Sequence, residues 1–266
     1  AADGMSAHYQ AAFARGIRVV AANKKPLAEP QHEWQKLMGA AKNAHRAYNY
    51  ETTVGASLPV IDTLKNLVRT GDRVTLVEGC LSGTLGYLTN EVMSGVPLSD
   101  AVKKAKEMGY TEPQPQDDLS GLDVARKAVI LARELGLELS LEDVEVTPLV
   151  SKDLLSHEDV PAFFDALEAH DDAFSKQIDE LKSRGQSLRY LAQIDPAGPK
   201  VAVGPVAVAQ DHPSASLRGS EAFVAFTTER YQDYPLVVRG SGAGGAVTAA
   251  GVLSDILKIS QTLRGR

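Results

Sequence analysis

The chain has 266 residues, of which 44% are hydrophobic and 23% are charged, a balance typical of a globular protein with one or two domains and a large core. The net charge of −6 argues against non-specific attraction to nucleic acid, and no apolar run approaches the roughly 18 residues of a membrane span, so we expect neither partner. A single cysteine, Cys80, excludes an internal disulfide. These properties predict a cytoplasmic protein, or a plastid protein if it derives from a plant-type precursor.

The first part of the chain predicts a helix over residues 5–14 and a buried, β-branched strand over 16–22, which together form half of a βαβ unit. The strand and the G-x-G-x-x-G turn that open such a unit do not precede them, so we expect that the chain lacks the first part of a dinucleotide-binding domain. Asn23, Lys24 and Lys25 follow the strand, where open α/β sheets bind ligands. A solvated basic loop is the commoner explanation of such a run.

The next elements alternate between helix and strand. The predicted elements are helices over 31–44 and 60–68 and strands over 47–50 and 73–79. Ser82-Gly83-Thr84 opens a further helix that runs to about residue 93, and Ser99-Asp100 opens another. Serine and threonine at such positions most often cap the free N–H groups of the first helical turn.

A turn-rich stretch, residues 109–116, precedes a predicted helix over 119–135. Two prolines favour extended backbone in the stretch, and Asp117 or Asp118 can cap the helix that follows. Gly136 is expected to end it. Apolar residues recur at helical spacing and predict one buried face, made of Leu119, Leu122, Ala125, Val129 and Ala132.

Charged side chains gather at the start of this helix. Asp123 and Lys127 are four residues apart on one side of it, Asp118 lies little more than one turn earlier, and the loop can bring Glu112 close. Carboxylates bind the ammonium of an amino-acid substrate, and a lysine among them can pass a proton to or from a substrate oxygen. The alternative, commoner on spacing alone, is a solvated surface pair that contributes roughly 0.2–0.5 kcal/mol.

From residue 144 onwards the pattern predicts an α+β region with a mainly antiparallel sheet. A short strand over 144–147 precedes a long amphipathic helix over 159–183. The apolar stripe of that helix, which we interpret as core, comprises Phe163, Phe164, Leu167, Phe174, Ile178 and Leu181. Further strands with turn signals between them are predicted over 186–194, 200–208, 222–228 and 236–239.

Residues 240–245, Gly-Ser-Gly-Ala-Gly-Gly, satisfy the pattern G-x-G-x-x-G between a strand and a helix. A dinucleotide-binding turn also needs a second parallel strand and an acidic residue about 20 positions later. A helix over 246–263 follows instead. We therefore reject these glycines as the primary pyrophosphate turn.

The remaining residues with metal-binding or nucleophilic chemistry carry no recognisable motif. The histidines lack metal-ligand spacing, and we interpret each as a surface or helix residue. Cys80, next to Gly79 at a predicted strand end, is interpreted as a small buried side chain rather than a nucleophile.

Five motifs, in one order and over nearly the whole chain, resemble the homoserine dehydrogenase family. They lie at residues 23–26 (NKKP), 50–59 (YETTVGASLP), 82–85 (SGTL), 109–127 (GYTEPQPQDDLSGLDVARK) and 242–251 (GAGGAVTAAG). The similarity is greatest to the dehydrogenase part of the bifunctional aspartokinase–homoserine dehydrogenases, without their N-terminal dinucleotide-binding segment. The resemblance implies a homodimeric enzyme that reversibly reduces L-aspartate 4-semialdehyde to L-homoserine with NADP or NAD, in threonine and methionine biosynthesis.

The resemblance also implies roles for individual residues. The implied catalytic residues are Lys127 and Lys24. The implied substrate-binding residues are Glu112, Asp123, Asp118 and Thr84. The residues implied at the cofactor are Lys24, Asn23, Gly109 and Gly244. A monovalent cation, Na⁺ or K⁺, is implied at the Glu51 carboxylate and at the carbonyl oxygens of Val54, Ala56 and Leu58.

In the implied mechanism, Glu112 and Asp123 hold the substrate ammonium, Lys127 gives a proton to the aldehyde oxygen, and Lys24 assists from the cofactor side. Such chemistry near neutral pH needs a lowered lysine pKa, and the sequence leaves open whether desolvation and Lys24 outweigh the carboxylates. Two alternatives stay open: a truncated, catalytically incompetent amino-acid-binding or dimerisation module, and a dehydrogenase for another small amino aldehyde. The choice between NAD and NADP depends on residues of the segment that we expect to be missing.

The expected fold class is α/β plus α+β. It combines a partial Rossmann-like nucleotide domain with a substrate and dimerisation domain, whose mainly antiparallel sheet is covered by helices. We expect residues 1–57 to be the remnant of the dinucleotide-binding domain and residues 58–239 to be the substrate-binding, catalytic and dimerisation domain. Residues 240–266 are expected to return to the nucleotide-binding domain.

Overall fold

The computed structural model describes residues 2–157 and 159–264. The α-helices are α1 (Met5–Ala14), α2 (Gln31–Asn43), α3 (Val60–Arg69), α4 (Gly83–Ser94), α5 (Leu98–Glu107), α6 (Pro115–Leu119), α7 (Leu122–Glu134), α8 (Lys152–Leu155), α9 (Val160–Glu168), α10 (Asp171–Ser183) and α11 (Gly245–Arg264). The strands are β1 (Val19–Val20), β2 (Tyr48–Asn49), β3 (Val74–Cys80), β4 (Glu145–Val146), β5 (Gln186–Asp195), β6 (Lys200–Ala209), β7 (Glu221–Thr228) and β8 (Leu236–Ser241). Within this described part, no helix combines the length and the apolar composition that crossing a membrane requires.

The larger sheet has six strands in the order β4-β6-β5-β3-β7-β8. Strand β4 runs parallel to β6, and every other neighbouring pair in this sheet is antiparallel. The ladder between β5 and β6 runs from the Gln186–Ala209 pair to the Asp195–Lys200 pair, so these two strands form a hairpin. A mainly antiparallel sheet with helices is therefore confirmed, and it also includes β3 from the first half of the chain, between β5 and β7.

Alternation along the strands gives one sheet face to the main core and the other face to a smaller cluster. On β7, Val224 and Phe226 join the main core, whereas Phe223 and Ala225 belong to the smaller cluster on the opposite side. Helices α4, α7 and α10 contact β5, and α7 also contacts β6. The sheet is therefore the support on which α7, the helix with the charged residues, is held.

A second, small sheet pairs β1 with β2 in parallel, through the Val19–Tyr48 and Val20–Asn49 pairs. These strands are shorter than predicted, because only two residue pairs meet the ladder geometry. Helix α11 contacts β1 and the 3₁₀ turn Glu51–Thr53. The backbone N–H of Glu51 donates to the Asp255 carboxylate at 3.0 Å, so the last helix is bonded to the N-terminal part of the chain.

The strand before residues 240–245 explains why their glycines are not a dinucleotide-binding turn. Strand β8 pairs antiparallel with β7 and ends the sheet order, so the glycines do not follow a strand of a parallel βαβ unit. The predicted segments 1–57 and 240–266 include residues 1, 265 and 266, which lie outside the described residues. The division into those segments stays a prediction.

Two predicted helices are wrong in the same way, since each is broken into two. The helix predicted over 119–135 is interrupted at Ser120-Gly121, which gives α6 and α7. Helix α6 begins before Asp117, because Pro115 fits the first helical turn, where its missing N–H has no partner to lose. The helix predicted over 159–183 is likewise divided into α9 and α10 around residues 169–170.

The apolar faces of the two predicted helices have different outcomes. Phe163, Leu167 and Ile178 are buried in the main core, as predicted for the stripe of the longer helix. Leu122 is 39% exposed, so its place on the buried face was predicted wrongly. The break at Gly121 turns the start of α7 relative to α6, and the helical spacing therefore does not carry through it.

Gly121 fixes the place where α7 begins. Its φ is +76°, in the left-handed region that side chains rarely adopt. A Cβ at this position would overlap the hydroxyl of Tyr190 on β5, and that hydroxyl donates a 2.8 Å hydrogen bond to the carbonyl of Thr147. The backbone at Gly121 therefore lies directly against the sheet.

We predict that Gly121→Ala lowers the free energy of unfolding by about 2–5 kcal/mol, because left-handed alanine costs roughly 1–2 kcal/mol and over-packing adds roughly 1–3 kcal/mol. The matched control is Gly136→Ala beyond the other end of α7, where φ is +84° and no atom lies within 4 Å of the new Cβ. Urea unfolding should show a loss of about 1–2 kcal/mol for the control. Equal losses in the two variants would contradict the contact with Tyr190.

Candidate active site

A cavity of ≈ 470 Å³ opens where α7 begins. It lies between the turn after β1, the loop before α6 and the first turns of α7. The residues that line it are Lys24, Lys25, Glu112, Asp117, Asp118, Ser120, Leu122, Asp123 and Arg126. Four of the predicted site residues, Lys24, Glu112, Asp118 and Asp123, therefore share one cavity.

Asp123 bridges the two lysines of the prediction. Its Oδ1 lies 2.5 Å from Nζ of Lys24, and its Oδ2 lies 2.9 Å from Nζ of Lys127. Lys127 also donates to the carbonyl of Leu81, at 2.5 Å, just after β3. The Lys127 side chain is 14% exposed and the Asp123 side chain is 43% exposed, so the carboxylate lies between the cavity and the lysine beneath it.

The two lysines hold Asp123 in its ionised form. Burial of this carboxyl favours the neutral acid, but the attraction of Lys127 and Lys24, with a hydrogen bond from each, outweighs burial and lowers the pKa of Asp123. The carboxylate is therefore charged throughout the neutral pH range. A surface pair of the kind considered from spacing alone would not be shared by a second lysine 99 residues away.

Burial decides the protonation of Lys127. Desolvation favours the neutral amine and lowers the pKa of Lys127, and the neighbouring charge of Lys24 acts in the same direction. Asp123 and Asp118 raise it but do not compensate for burial. The sequence leaves open whether desolvation and Lys24 outweigh the carboxylates in setting the pKa of Lys127. In the structure they do, so Lys127 gives up its proton more readily than an exposed lysine.

Asp118 holds the loop that carries Glu112. Its Oδ2 accepts a 2.8 Å hydrogen bond from the backbone N–H of Glu112, instead of capping a helix as predicted. Burial raises the pKa of Asp118, against the hydrogen bond from Glu112. The Glu112 side chain is exposed in the cavity, and among residues 2–157 and 159–264 it has no hydrogen-bond or salt-bridge partner. Glu112 therefore offers a free carboxylate.

Thr84 lies beneath the loop rather than on the cavity wall. It is 7% exposed, and its hydroxyl donates a 2.6 Å hydrogen bond to the carbonyl of Tyr110. Ser82 caps α4 as predicted, by accepting the N–H of Leu85 at 3.2 Å. Thr84 and Asp118 thus fix the loop before α6 at two points, Tyr110 and Glu112.

The residues implied at the cofactor occupy three loops, with Asn23 and Lys24 after β1, Gly109 after α5 and Gly244 after β8, and of these four residues Lys24 lines the cavity. The Asn23 side chain donates to the carbonyl of Ala2 at 2.7 Å and accepts the N–H of Lys25 at 3.2 Å, so it orders the turn that carries Lys24. Gly109 and Gly244 have φ of +72° and +118°, and no atom lies within 4 Å of a Cβ built on either. Both glycines leave room for a close approach to the backbone.

The loop after β2 offers buried backbone carbonyl oxygens suited to the implied monovalent cation. Val54 and Ala56 are buried, and in the described chain no hydrogen bond reaches either carbonyl oxygen. The carboxylate oxygens of Glu51 accept the N–H groups of Ile61 and Asp62 at 2.7 and 2.8 Å. Burial, together with the charge of Asp62, raises the pKa of Glu51 to about 7, as expected for a carboxyl short of positive charge.

The Leu58 carbonyl of the same implied set already accepts the N–H of Val60 at 2.8 Å. A carbonyl oxygen has two lone pairs, so this bond leaves it able to bind a cation. Among the described residues, no group of three or more His, Cys, Asp or Glu side chains could hold a metal ion. A site here would depend on backbone oxygens.

Several cavity residues were not predicted. They are Lys25, Asp117, Ser120, Leu122 and Arg126. Arg126 stands three residues after Asp123, so the same helical spacing that paired Asp123 with Lys127 was the available signal. Lys25 adjoins Lys24 in the sequence but forms its own 2.9 Å pair with Asp3. The adjacent positions of Lys24 and Lys25 in the sequence therefore do not show which of the two bonds to Asp123.

Two residues set aside from the sequence have different outcomes. Cys80 is buried, and burial raises the pKa of its thiol to about 12, in agreement with the interpretation as a packing residue. The interpretation of every histidine as a surface or helix residue is wrong for His212. Its ring lies in a turn and contacts Ser214 Oγ at 2.6 Å and Glu78 Oε2 at 3.2 Å, with the side chain only 21% exposed.

Comparison with known proteins identifies the family of this chain. The family model for homoserine dehydrogenase matches residues 59–257. The chloroplastic bifunctional aspartokinase/homoserine dehydrogenase 1 of Arabidopsis thaliana is 45% identical over 246 residues, which are 92% of this chain and 27% of that protein. Homoserine dehydrogenase of Paracoccidioides brasiliensis is 40% identical over 264 residues, covering 96% of this chain and 71% of that protein.

A solved structure extends the similarity to the fold. A hyperthermophilic archaeal homoserine dehydrogenase in complex with NADPH has a TM-score of 0.75 and 25% identity, over 98% of this chain and 70% of that one. The chain spans about a quarter of its bifunctional relatives and less than three quarters of the fungal one. Because the family model covers most of the chain and the fungal relative is 40% identical, the chain belongs to the homoserine dehydrogenase family.

Proposed function

We propose that the protein catalyses the reversible NAD(P)-dependent reduction of L-aspartate 4-semialdehyde to L-homoserine. The observation that carries the proposal is the Asp123 carboxylate between Lys24 and Lys127, next to the free carboxylate of Glu112. The substrate is an amino acid with a reactive oxygen at its other end. The cavity offers the free carboxylate of Glu112 to one end, and Lys127, whose pKa is lowered, lies directly beneath the Asp123 carboxylate of the cavity wall, within reach of the other end.

Glu112 is the principal partner of the substrate ammonium in this proposal. Asp123 contributes a second carboxylate, whose oxygens still have lone pairs beside the bonds from the two lysines. Lys127 donates a proton to the aldehyde oxygen during reduction and accepts it from the hydroxyl of homoserine during oxidation. Lys24 keeps Asp123 ionised from the cofactor side.

The nicotinamide cofactor, when bound, supplies the hydride. The residues proposed to hold it are Lys24, Asn23, Gly109 and Gly244. NADPH is the preferred candidate, by analogy with the archaeal relative solved with that cofactor. The open backbone at Gly109 and Gly244 supports close contact with a planar ring or a phosphate.

The assembly and the compartment belong to the same proposal. A homodimer formed by the 58–239 domain is inferred from the family. The nucleotide-binding part is inferred to comprise residues 1–57 and 240–266, which the contact of α11 with β1 supports. The compartment is proposed to be the cytoplasm, or a plastid by analogy with the chloroplastic Arabidopsis relative.

A monovalent cation is proposed at Glu51 and at the carbonyls of Val54, Ala56 and Leu58. It would satisfy buried carbonyl oxygens and supply positive charge to Glu51. Its effect would be structural, because the loop joins β2 to α3 and bonds to α11 through Asp255.

We predict that Lys127→Met lowers kcat for aspartate-semialdehyde reduction by about 10²–10⁴-fold with little change in KM, because general acid–base catalysis contributes that much. Reduction needs the ammonium form, so kcat/KM should fall as pH rises through a pKa lower than the ordinary 10.5 of lysine, and oxidation of homoserine should rise there. In Lys127→Met this decrease of kcat/KM with rising pH should be absent. The measurement is NADPH absorbance against pH with the full-length protein.

The matched control is Lys65→Met, which also removes a partly buried lysine that pairs with a helix carboxylate, Glu134, at 3.6 Å outside the cavity. Its kcat should stay within about threefold of the parent value, since the site geometry does not depend on it. A wild-type protein that reduces no aspartate semialdehyde, or a Lys127→Met variant of normal turnover, would contradict the proposed function.

We also predict that potassium or sodium chloride raises the thermal unfolding midpoint more than choline chloride does at equal ionic strength. Binding to the native state alone stabilises it by about 2.7 kcal/mol at 100 times the Kd. The difference should fade below about pH 7, where Glu51 takes up its proton, and it should shrink in Glu51→Gln. Equal midpoints in all three salts would remove the cation site.

A further inference from the structure

Arg133 is a buried cation that connects α7 to the turn that follows Lys24, at a distance from the cavity. It lies on α7, six residues after Lys127, and is 4% exposed. Its Nη1 donates to the carbonyl of Leu27 at 2.7 Å, and its Nη2 donates to the carbonyl of Glu29 at 2.7 Å. Nη2 and Nε also donate to the carbonyl of Leu139, at 2.8 and 3.2 Å.

On one side the acceptors are Leu27, in the turn that follows Lys24, and Glu29, two residues after the end of that turn. The 3₁₀ turn Lys25–Leu27 begins directly after Lys24, and the N–H of Leu27 donates to the Lys24 carbonyl at 3.0 Å. The guanidinium of Arg133 is thus hydrogen-bonded to the C-terminal end of a turn that begins directly after Lys24. The Trp34 ring, whose centroid is 5.0 Å from the guanidinium carbon, packs on the same group.

Two attachments therefore fix this turn against one helix. One is the Lys24–Asp123 pair at the start of α7, and the other is the Arg133 fork ten residues later, which is about 15 Å along the axis. Two separated attachments fix both the position and the direction of a short segment. A single attachment would leave Lys24 free to swing away from Asp123.

The partners of Arg133 suit only a guanidinium. In the part of the chain that the structure describes, Arg133 forms no salt bridge, and its hydrogen bonds go to backbone carbonyls of three different residues. A planar fork of donors reaches several acceptors at once, whereas a lysine ammonium acts from one point. Burying a cation without a carboxylate is costly, so a simple packing role would be met as well by an apolar side chain.

We propose that Arg133 is a positioning residue that sets the distance between Lys24 and the Asp123–Lys127 pair. The proposal rests on the proposed function, since the consequence appears in the chemistry of Lys127. The groups that face Lys127 are Asp123 on its own helix, Asp118 on α6, Lys24 after β1 and the carbonyl of Leu81. Of these, Lys24 is the one that Arg133 holds.

Loss of Arg133 has a directional effect on Lys127. When the turn loosens, Lys24 moves away, and with it goes a positive charge that lowers the pKa of Lys127. Asp123 stays on α7 and continues to raise it. The pKa of Lys127 therefore rises in Arg133→Met, and the pH at which reduction declines rises with it.

The test compares Arg133→Met with a matched variant, Arg189→Met, in the full-length protein. Arg189 is also 4% exposed and donates to backbone carbonyls, those of Leu188, Ser214 and Ala215, on the opposite side of the sheet from α7. Arg133→Met should lower kcat about tenfold to a hundredfold, as expected for a misplaced group, and move the pH limb upward. Arg189→Met should leave both unchanged, even where it lowers thermal stability.

A double-mutant cycle with Lys24→Met shows whether Arg133 acts through Lys24. In the Lys24→Met background, Arg133→Met should have almost no further effect on kcat. If the two residues acted independently, the fold-reductions in kcat of the two single variants would multiply in the double variant. Arg133→Lys, which keeps the charge and is the gentler change, should fall between the parent and Arg133→Met. Multiplicative losses, or an equal loss in Arg189→Met with an unmoved pH limb, would overturn the proposal.

A readout independent of turnover separates this inference from the proposed function. NMR titration of ¹³Cε-labelled lysine, assigned through Lys127→Met, reports the pKa of Lys127 directly. A higher value in Arg133→Met, but not in Arg189→Met, supports the positioning role even in a protein that reduces no aspartate semialdehyde. An unchanged value in a folded Arg133→Met protein would overturn the positioning role even if the enzyme activity is confirmed.

Discussion

The site depends on one carboxylate, that of Asp123, placed between two ammonium groups. Lys24 and Lys127 come from distant parts of the sequence, and like charges this close would repel without the oxygen atoms that separate them. The carboxylate also covers Lys127, whose burial lowers its pKa. When Lys127 gives up its proton it loses its positive charge, but Nζ of Lys24 still lies 2.5 Å from Asp123, so the carboxylate keeps a cationic partner.

The rest of the molecule serves to hold this triad and the free carboxylate beside it. The residue directly after β3, Leu81, supplies the carbonyl for Lys127, and Gly121 sets α7 against β5 through its contact with Tyr190. Thr84 and Asp118 hold the loop that presents Glu112. The sheet thus determines where α7 starts, and α7 determines where the charges meet.

Local patterns predicted most elements, because strand alternation and helical spacing reflect which face is buried. They failed where a tertiary contact overrides the pattern, as at Gly121, whose left-handed backbone against Tyr190 breaks a helix that spacing alone continues. The partnership of Asp123 with Lys127 was readable from spacing, and the motifs implied Lys24. The roles of Asp118 and Thr84 as loop supports, and the grip of Arg133 on the Lys24 turn, depend on contacts between residues 6 to 106 positions apart, which one sequence does not show.

The most direct measurement is calorimetric titration of the full-length protein with homoserine, with and without NADPH, for the parent, Glu112→Gln and an exposed control, Glu138→Gln. We expect saturable binding to one site per chain, weakened roughly tenfold to a hundredfold in Glu112→Gln, since a bond between charged groups contributes about 1.5–3 kcal/mol. The control should bind like the parent. No binding by the folded parent protein under either condition, or equal binding by Glu112→Gln, would contradict the assignment of this cavity to an amino-acid substrate.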